Sequence, residues 1–293
     1  MLMNAEFTAS LRETATNQPA VAQLYAPLLQ KQSRDGVLCE PELAYGDHLR
    51  HRLDLYKPAT GVGPWPVVVF LHGGGFIRGS KENRANLGVF LAQQGYIALL
   101  PNYRLAPEHQ WPSGAEDVVA VWQWVQSHAM QWGGDPARTV LAGESAGAAH
   151  VAAATLRSEF HPPHWAIAGA VLLSGPYNTR LEGMTPTQLK IPTPDPRNES
   201  YFGADRTRWD ACSTVDHITA KPFPLLIGFT ELDLIQMQVQ AGELFARLVS
   251  QHEFQPDLML VPHHNHFSQG YSLGTGDTSL SEPLLKFLRR ITK

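Results

Sequence analysis

Val67-Val68-Val69-Phe70-Leu71 is a run of five apolar residues with no polar face. A strand with one side in water alternates apolar and polar side chains. A strand covered on both sides does not, and such strands belong to parallel sheets sandwiched between helices. The runs Tyr96-Ile97-Ala98-Leu99-Leu100 and Thr139-Val140-Leu141-Ala142 repeat the pattern, and residues 167–173, 224–229 and 258–261 read as further strands. Helical patterns fall between them: residues 82–94, a stretch from Ser113 with Val118, Val119, Trp122 and Val125 as its buried stripe, then 148–156, 238–249 and 282–291. Ser113 is expected to cap its helix, with Glu116 completing a capping box. Strand and helix in alternation predict a mostly parallel central sheet with helices on both faces.

The rest of the chain frames that core. Residues 37–45 and 50–56 alternate as two strands about Gly46-Asp47 and predict an antiparallel edge. Residues 1–35 place Val21, Leu24, Tyr25, Leu28 and Leu29 at helical spacing, broken by Pro19 and Pro27, which predicts one or two short helices. Residues 178–221 carry Pro186, Pro192, Pro194 and Pro196, too many for a long element, and read as an insertion between two core strands. The 293 residues, 43% hydrophobic, suffice for a single domain over 1–293, with 1–35 and 178–221 as candidate cap or lid segments.

Chemistry is expected where strands end, because ligands of such sheets gather at the carboxyl ends of the strands. Gly143-Glu144-Ser145-Ala146-Gly147 sits between an apolar strand and an alanine-rich helix. Serine between glycines at a strand–helix turn is the setting of a nucleophile elbow. After the strand ending at Leu71 comes His72-Gly73-Gly74-Gly75. Consecutive glycines let a backbone approach a ligand and offer its N–H groups, so Gly74 and Gly75, with Ala146, are the candidate oxyanion donors. His72 is expected to hold that loop. A serine hydroxyl also needs an imidazole to remove its proton and a carboxylate to fix the imidazole tautomer. Two acids, Glu231 and Asp233, follow the strand ending at Phe229, and extended-chain spacing does not choose between them. Three histidines, His263, His264 and His266, follow the strand ending at Val261. The order serine, acid, histidine, each at a strand end, is that of α/β-hydrolases.

The loop His72-Gly73-Gly74-Gly75, the segment Asn102-Tyr103-Arg104-Leu105-Ala106-Pro107-Glu108, Gly133-Gly134-Asp135-Pro136 and the elbow together resemble the hormone-sensitive-lipase-type esterase branch of the α/β-hydrolases. The resemblance covers the chain from about residue 50 onward and implies an α/β-hydrolase fold with a small cap. In that family the acid lies in an Asp-Pro-Leu-type turn after the penultimate strand. Asp233-Leu234 matches the place without the proline, which favours Asp233 over Glu231. The family histidine usually precedes Gly-Phe. Here His264-Asn265-His266-Phe267-Ser268 is closer to feruloyl-esterase-like and arylformamidase-like relatives, in which the histidine before the phenylalanine is the base. The implied triad is Ser145, Asp233 and His266. The turn Tyr103 to Glu108 is expected to support the oxyanion loop, and Glu144 to anchor the elbow.

These readings predict a serine carboxylesterase acting on small-molecule esters of small to medium acyl groups. An arylformamidase-type amide hydrolase, and a ligand-binding receptor on an esterase fold, are the rivals. An imidazole base titrates near 6.5, so activity is expected to fall on acidification. No cofactor and no metal are expected, since no cysteine or glutamate stands at ligand spacing from the histidines. A net charge of −4 without a clustered basic patch argues against nucleic acid. No stretch approaches the roughly 20 apolar residues of a membrane span. Residues 1–18 lack the apolar core of a secretory signal, and two cysteines are too few for a disulfide framework. A cytoplasmic protein is the expectation.

Overall fold

Alternate residues of β3 (Trp65–Leu71) enter two different cores. Val67, Val69 and Leu71 join one cluster, and Val68 and Phe70 join the other, on opposite faces of the sheet. The computed structural model describes residues 5–183 and 196–293. Among these, eight strands form one sheet in the order β1-β2-β4-β3-β5-β6-β7-β8. They are β1 (Val37–Ala44), β2 (Arg52–Pro58), β3, β4 (Ile97–Pro101), β5 (Gly134–Glu144), β6 (Gly169–Leu173), β7 (Leu225–Leu232) and β8 (Asp257–Asn265). Strands β3 to β8 run parallel to one another. The pairs β1–β2 and β2–β4 are antiparallel, as the alternating edge predicts.

The first face is covered by α4 (Ser113–His128), α5 (Ala146–Leu156) and α8 (Ile235–Gln251), which bury Val118, Val151 and Leu244 there. The second is covered by α3 (Ala85–Gln93) and α10 (Ser281–Ile291) through Leu87, Leu91, Leu284 and Leu288. At the sheet edge β8 shows one half of this pattern. Met259 and Val261 are buried while Leu258 and Leu260 stand exposed.

Three local expectations are corrected. Ser113 does not cap α4: it is the first helical residue, its Oγ donates back to His109 O at 3.2 Å, and Glu116 instead meets Arg104 Nη2 at 2.8 Å. Val119 is only partly buried, and Val121 takes the place in the stripe assigned to it. Pro19 and Pro27 do not break a helix, since both lie inside α2 (Gln18–Leu29). Pro19 sits in the first turn, where no N–H donor is needed, and Pro27 falls in the last.

Helix α2 and α1 (Ala5–Glu13) pack together through Leu11, Val21 and Tyr25, against Phe267 and Tyr271 of the short α9 (Ser268–Ser272) region. In the insertion, α6 (Thr179–Gly183) and α7 (Pro196–Phe202) are described. Pro186, Pro192 and Pro194 lie outside the described residues, as does that part of the candidate cap or lid segment 178–221.

Candidate active site

Four strand ends converge on Ser145. It follows β5 directly and holds φ 52, ψ −123, a left-handed backbone angle that costs an L-residue free energy. Two contacts hold it there: its N–H donates to Leu173 O at 2.8 Å, and its carbonyl accepts from Ala149 N at 3.1 Å. The glycine at 147 is a packing requirement, because a Cβ there would fall 2.3 Å from Leu71 O. This close approach lets the first turn of α5 sit against the end of β3. Ala146 is the first residue of α5, so its N–H is one of those that a helix N-terminus leaves without an intrahelical acceptor.

His266 Nε2 lies 2.9 Å from Ser145 Oγ, and its Nδ1 lies 2.7 Å from Asp233 Oδ1. The Asp233 carboxylate also accepts Leu234 N–H at 2.9 Å, Thr230 N–H at 3.1 Å and the Ser174 hydroxyl at 2.5 Å. Burial would raise its pKa. The His266 ring and the Ser174 and Thr230 donors outweigh burial and hold it below the usual carboxylate range.

Glu231 is elsewhere: its Oε2 accepts the backbone N–H of His263 at 2.8 Å. A register shift in β7 between Thr230 and Leu232 breaks the extended alternation that had left the two acids equivalent. His264 is also accounted for. It is fully buried, with Nδ1 at 2.9 Å from Ser268 Oγ and Nε2 at 3.0 Å from Asp277 Oδ2. The three histidines therefore have separate partners. Among the described residues, no group of three or more His, Cys, Asp or Glu side chains is placed to hold a metal ion.

Gly73, Gly74 and Gly75 line one cleft with Ser145, Ala146 and His266. Gly74 holds φ +149, and a Cβ on it would fall 1.8 Å from Arg78 O, so no other residue fits this turn. Tyr103 braces the loop from behind, donating to His72 O at 2.9 Å and stacking on the His72 ring at 4.4 Å. His72 is buried and its Nδ1 lies 2.7 Å from Gly73 O; burial lowers its pKa to about 3, so it stays neutral. Glu144 accepts Gly73 N–H at 3.3 Å and pairs with Arg84 at 2.5 Å, which joins elbow and loop. Apolar walls come from Phe76, Pro176, Leu234, Met237 and Phe267, polar ones from Arg78, Glu182 and Arg197 among others, with Gln18 of α2 at the same opening.

Sequence reasoning did not find Ser174, Gln269 or Arg84. Ser174-Gly175-Pro176 follows an apolar strand and was the one available signal. The contacts of Ser174 with Asp233, of Arg84 with Glu144 and of Gln269 with Ser174 all join residues distant in sequence.

A serine at a strand–elbow–helix turn, in contact with a histidine that meets an aspartate, both from later strand ends, defines a class. Residues 68–267 match the family described as alpha/beta hydrolase fold, and the chain belongs to it. It is 40% identical over 114 residues to a probable isoprenylcysteine alpha-carbonyl methylesterase of Arabidopsis thaliana, covering 39% of this chain and 24% of that one. It is 30% identical over 223 residues to LipM, a probable carboxylic ester hydrolase of Mycobacterium tuberculosis strain H37Rv, covering 69% of this chain and 50% of that one. The chain thus spans a quarter to a half of the length of these curated relatives. The crystal structure of an esterase from the bacterial hormone-sensitive lipase family superposes with a TM-score of 0.74 at 22% identity, covering 98% of this chain and 96% of that one. That branch is the one the sequence motifs resemble. No helix among the described residues is long and apolar enough to cross a membrane.

Proposed function

We propose that this chain is a carboxylesterase that hydrolyses small-molecule esters of small to medium acyl groups through an acyl-enzyme. The observation that carries the reading is the chain of contacts from Ser145 Oγ to His266 Nε2 at 2.9 Å and from His266 Nδ1 to Asp233 Oδ1 at 2.7 Å. His266 takes the hydroxyl proton as Ser145 attacks the ester carbonyl, and Asp233 fixes the tautomer and stabilises the imidazolium. The N–H groups of Gly74, Gly75 and Ala146 receive the oxyanion of the tetrahedral intermediate. His266 returns the proton to the departing alcohol. It then takes one from the water that releases the carboxylic acid and regenerates Ser145.

The ester preference draws support from the relatives, a probable methylesterase and a probable carboxylic ester hydrolase. Residues 1–35 and 178–221 belong to the same single domain as a small cap over the cleft. That reading is supported by Gln18, Asn198 and Met237 meeting at one opening. A cytoplasmic location is part of the proposal, supported by two unpaired thiols, Cys39 exposed and Cys212 buried. Turnover of 4-nitrophenyl acetate beside N-formylkynurenine tests the chemistry. Fast ester cleavage that disappears in Ser145→Ala is expected. Rapid deformylation with negligible ester cleavage would replace the esterase by the arylformamidase.

A further inference from the structure

Two consecutive residues at the end of β6 touch both ends of the triad. Leu173 O accepts the N–H of Ser145 at 2.8 Å, and the next residue, Ser174, donates its hydroxyl to Asp233 Oδ2 at 2.5 Å. Strand β6 lies between β5, which delivers the nucleophile, and β7, which delivers the acid. Ser174 is fully buried and holds φ 51, with its N–H bonded to Gly228 O at 2.8 Å. A glycine would take that angle without strain. A serine at a glycine-type angle, its side chain sealed from water, points to a use for the hydroxyl.

The donors around Asp233 indicate what that use is. Leu234 N–H and Thr230 N–H reach the carboxylate from its own turn, at 2.9 and 3.1 Å, and move with it. Ser174 reaches it from the strand that also holds Ser145. Its single proton goes to the nearer, anionic oxygen of Asp233 and not to Gln269 Oε1 at 3.3 Å. Gln269 in turn donates from Nε2 to His266 O at 3.2 Å, so the loop carrying the base contacts the same hydroxyl.

We propose that Ser174 is a positioning residue of this triad: its hydroxyl fixes the Asp233 carboxylate relative to Ser145, and so aims His266 Nε2 at the nucleophile. The inference rests on the triad reading above. It adds a member that acts through Asp233 and touches no substrate.

Ser174→Ala and Ser174→Gly separate the hydroxyl from the backbone angle. Both are expected to lower kcat on 4-nitrophenyl acetate about tenfold with KM within about twofold, the loss of one charge-assisted hydrogen bond felt in the transition state. The glycine variant should do so while melting no earlier than Ser174→Ala, since it relieves the strained angle. In an Asp233→Asn background, Ser174→Ala should add less than about twofold, because the two side chains act as one unit. The hydrogen-bonded Nδ1 proton of His266, followed by NMR, should shift in Ser174→Ala. Full turnover in Ser174→Gly, or an equal loss in both backgrounds, overturns the positioning role. An unmoved imidazole proton does so whatever the activity. A wild-type chain inert toward esters, with the proton still shifted by Ser174→Ala, overturns the esterase reading and leaves the positioning role standing.

Discussion

Arg84 Nη2 and Glu144 Oε1 lie 2.5 Å apart with side chains 7% and 5% exposed, which makes them a buried ion pair at the residue that precedes Ser145. Glu144 precedes Ser145 and also accepts Gly73 N–H from the oxyanion loop at 3.3 Å. One carboxylate therefore links the elbow, the donor loop and the α3 side of the sheet. Burial alone would lower the pKa of Arg84, but Glu144 and Tyr271 more than offset it and keep the guanidinium charged. Glu144→Ala strands that charge in the interior. Removing one partner of such a pair costs about 3–5 kcal/mol. The variant should show that loss in urea unfolding, and a lower kcat because Gly73 is released. An unchanged unfolding midpoint would mean that the pair is relaxed by solvent.

Asp233 and Glu231 give the sharpest contrast of roles. Asp233→Asn keeps the shape but presents the wrong hydrogen-bonding partner to His266. For a triad aspartate that change lowers kcat by about four orders of magnitude. Glu231→Gln keeps an acceptor for His263 N–H and should change kcat less than about threefold. His264→Gln should lower stability and leave the form of the pH–rate profile intact, because its two nitrogens serve Ser268 and Asp277. Equal losses in Asp233→Asn and Glu231→Gln would return the acid to an open question.

Much of this site was legible because it rests on short-range signals. The elbow, the glycine loop and the apolar runs each announce themselves within five residues. Tyr103 and Glu144 took the supporting roles expected of them, bracing the oxyanion loop and joining it to the elbow. The choice between Glu231 and Asp233 was not legible from spacing, since it turns on a register shift between Thr230 and Leu232 that no alternation encodes. The capping box at Ser113 failed for a related reason. Arg104, nine residues before Ser113, competes for Glu116 and binds Asp117 as well, and a four-residue motif carries no information about that rival. Ser174 was invisible because its acceptor is 59 residues further on.

Burial of two imidazoles beside the site sets a pH limit on stability. His150, on α5, packs among Phe76, Tyr103 and Tyr201, and burial lowers its pKa to about 4, with Asp117 opposing only in part. His72 is lowered to about 3 by the same cause. In the unfolded chain both titrate near 6.5. Between that value and the folded one, the unfolded state binds protons that the folded state refuses. Stability is therefore complete above about pH 6.5 and falls on acidification, by about 1.4 kcal/mol per pH unit for each histidine. His150→Leu removes one of the two. Its loss of unfolding free energy from pH 7.5 to 5 should be smaller than that of wild type by about 2 kcal/mol. Parallel pH dependences for the two proteins would show that water reaches the ring.

The N-terminal helices bear on the histidine more than on the opening. Leu11 and Tyr25 are 0% and 1% exposed, packed in a cluster that Phe267 and Tyr271 adjoin, and Asn265 Nδ2 donates to Leu11 O at 2.8 Å. Asn265 and Phe267 flank His266, so α1 and α2 hold the loop of the proposed base from both sides in sequence. Swinging the arm away as a lid would expose Leu11 and Tyr25, at about 1.5–3 kcal/mol for each large side chain, and would free the loop that carries the base. That cost favours a cap that stays in place and props the loop of His266. Deleting residues 1–30 should therefore reduce kcat by tenfold or more, on the order expected when a catalytic group loses its aim, with a smaller change in KM. Leu11→Ala should lower stability by about 2–4 kcal/mol and move kcat in the same direction. A truncated chain that keeps wild-type kcat and gains access to bulkier esters would show instead that the arm is a removable cover.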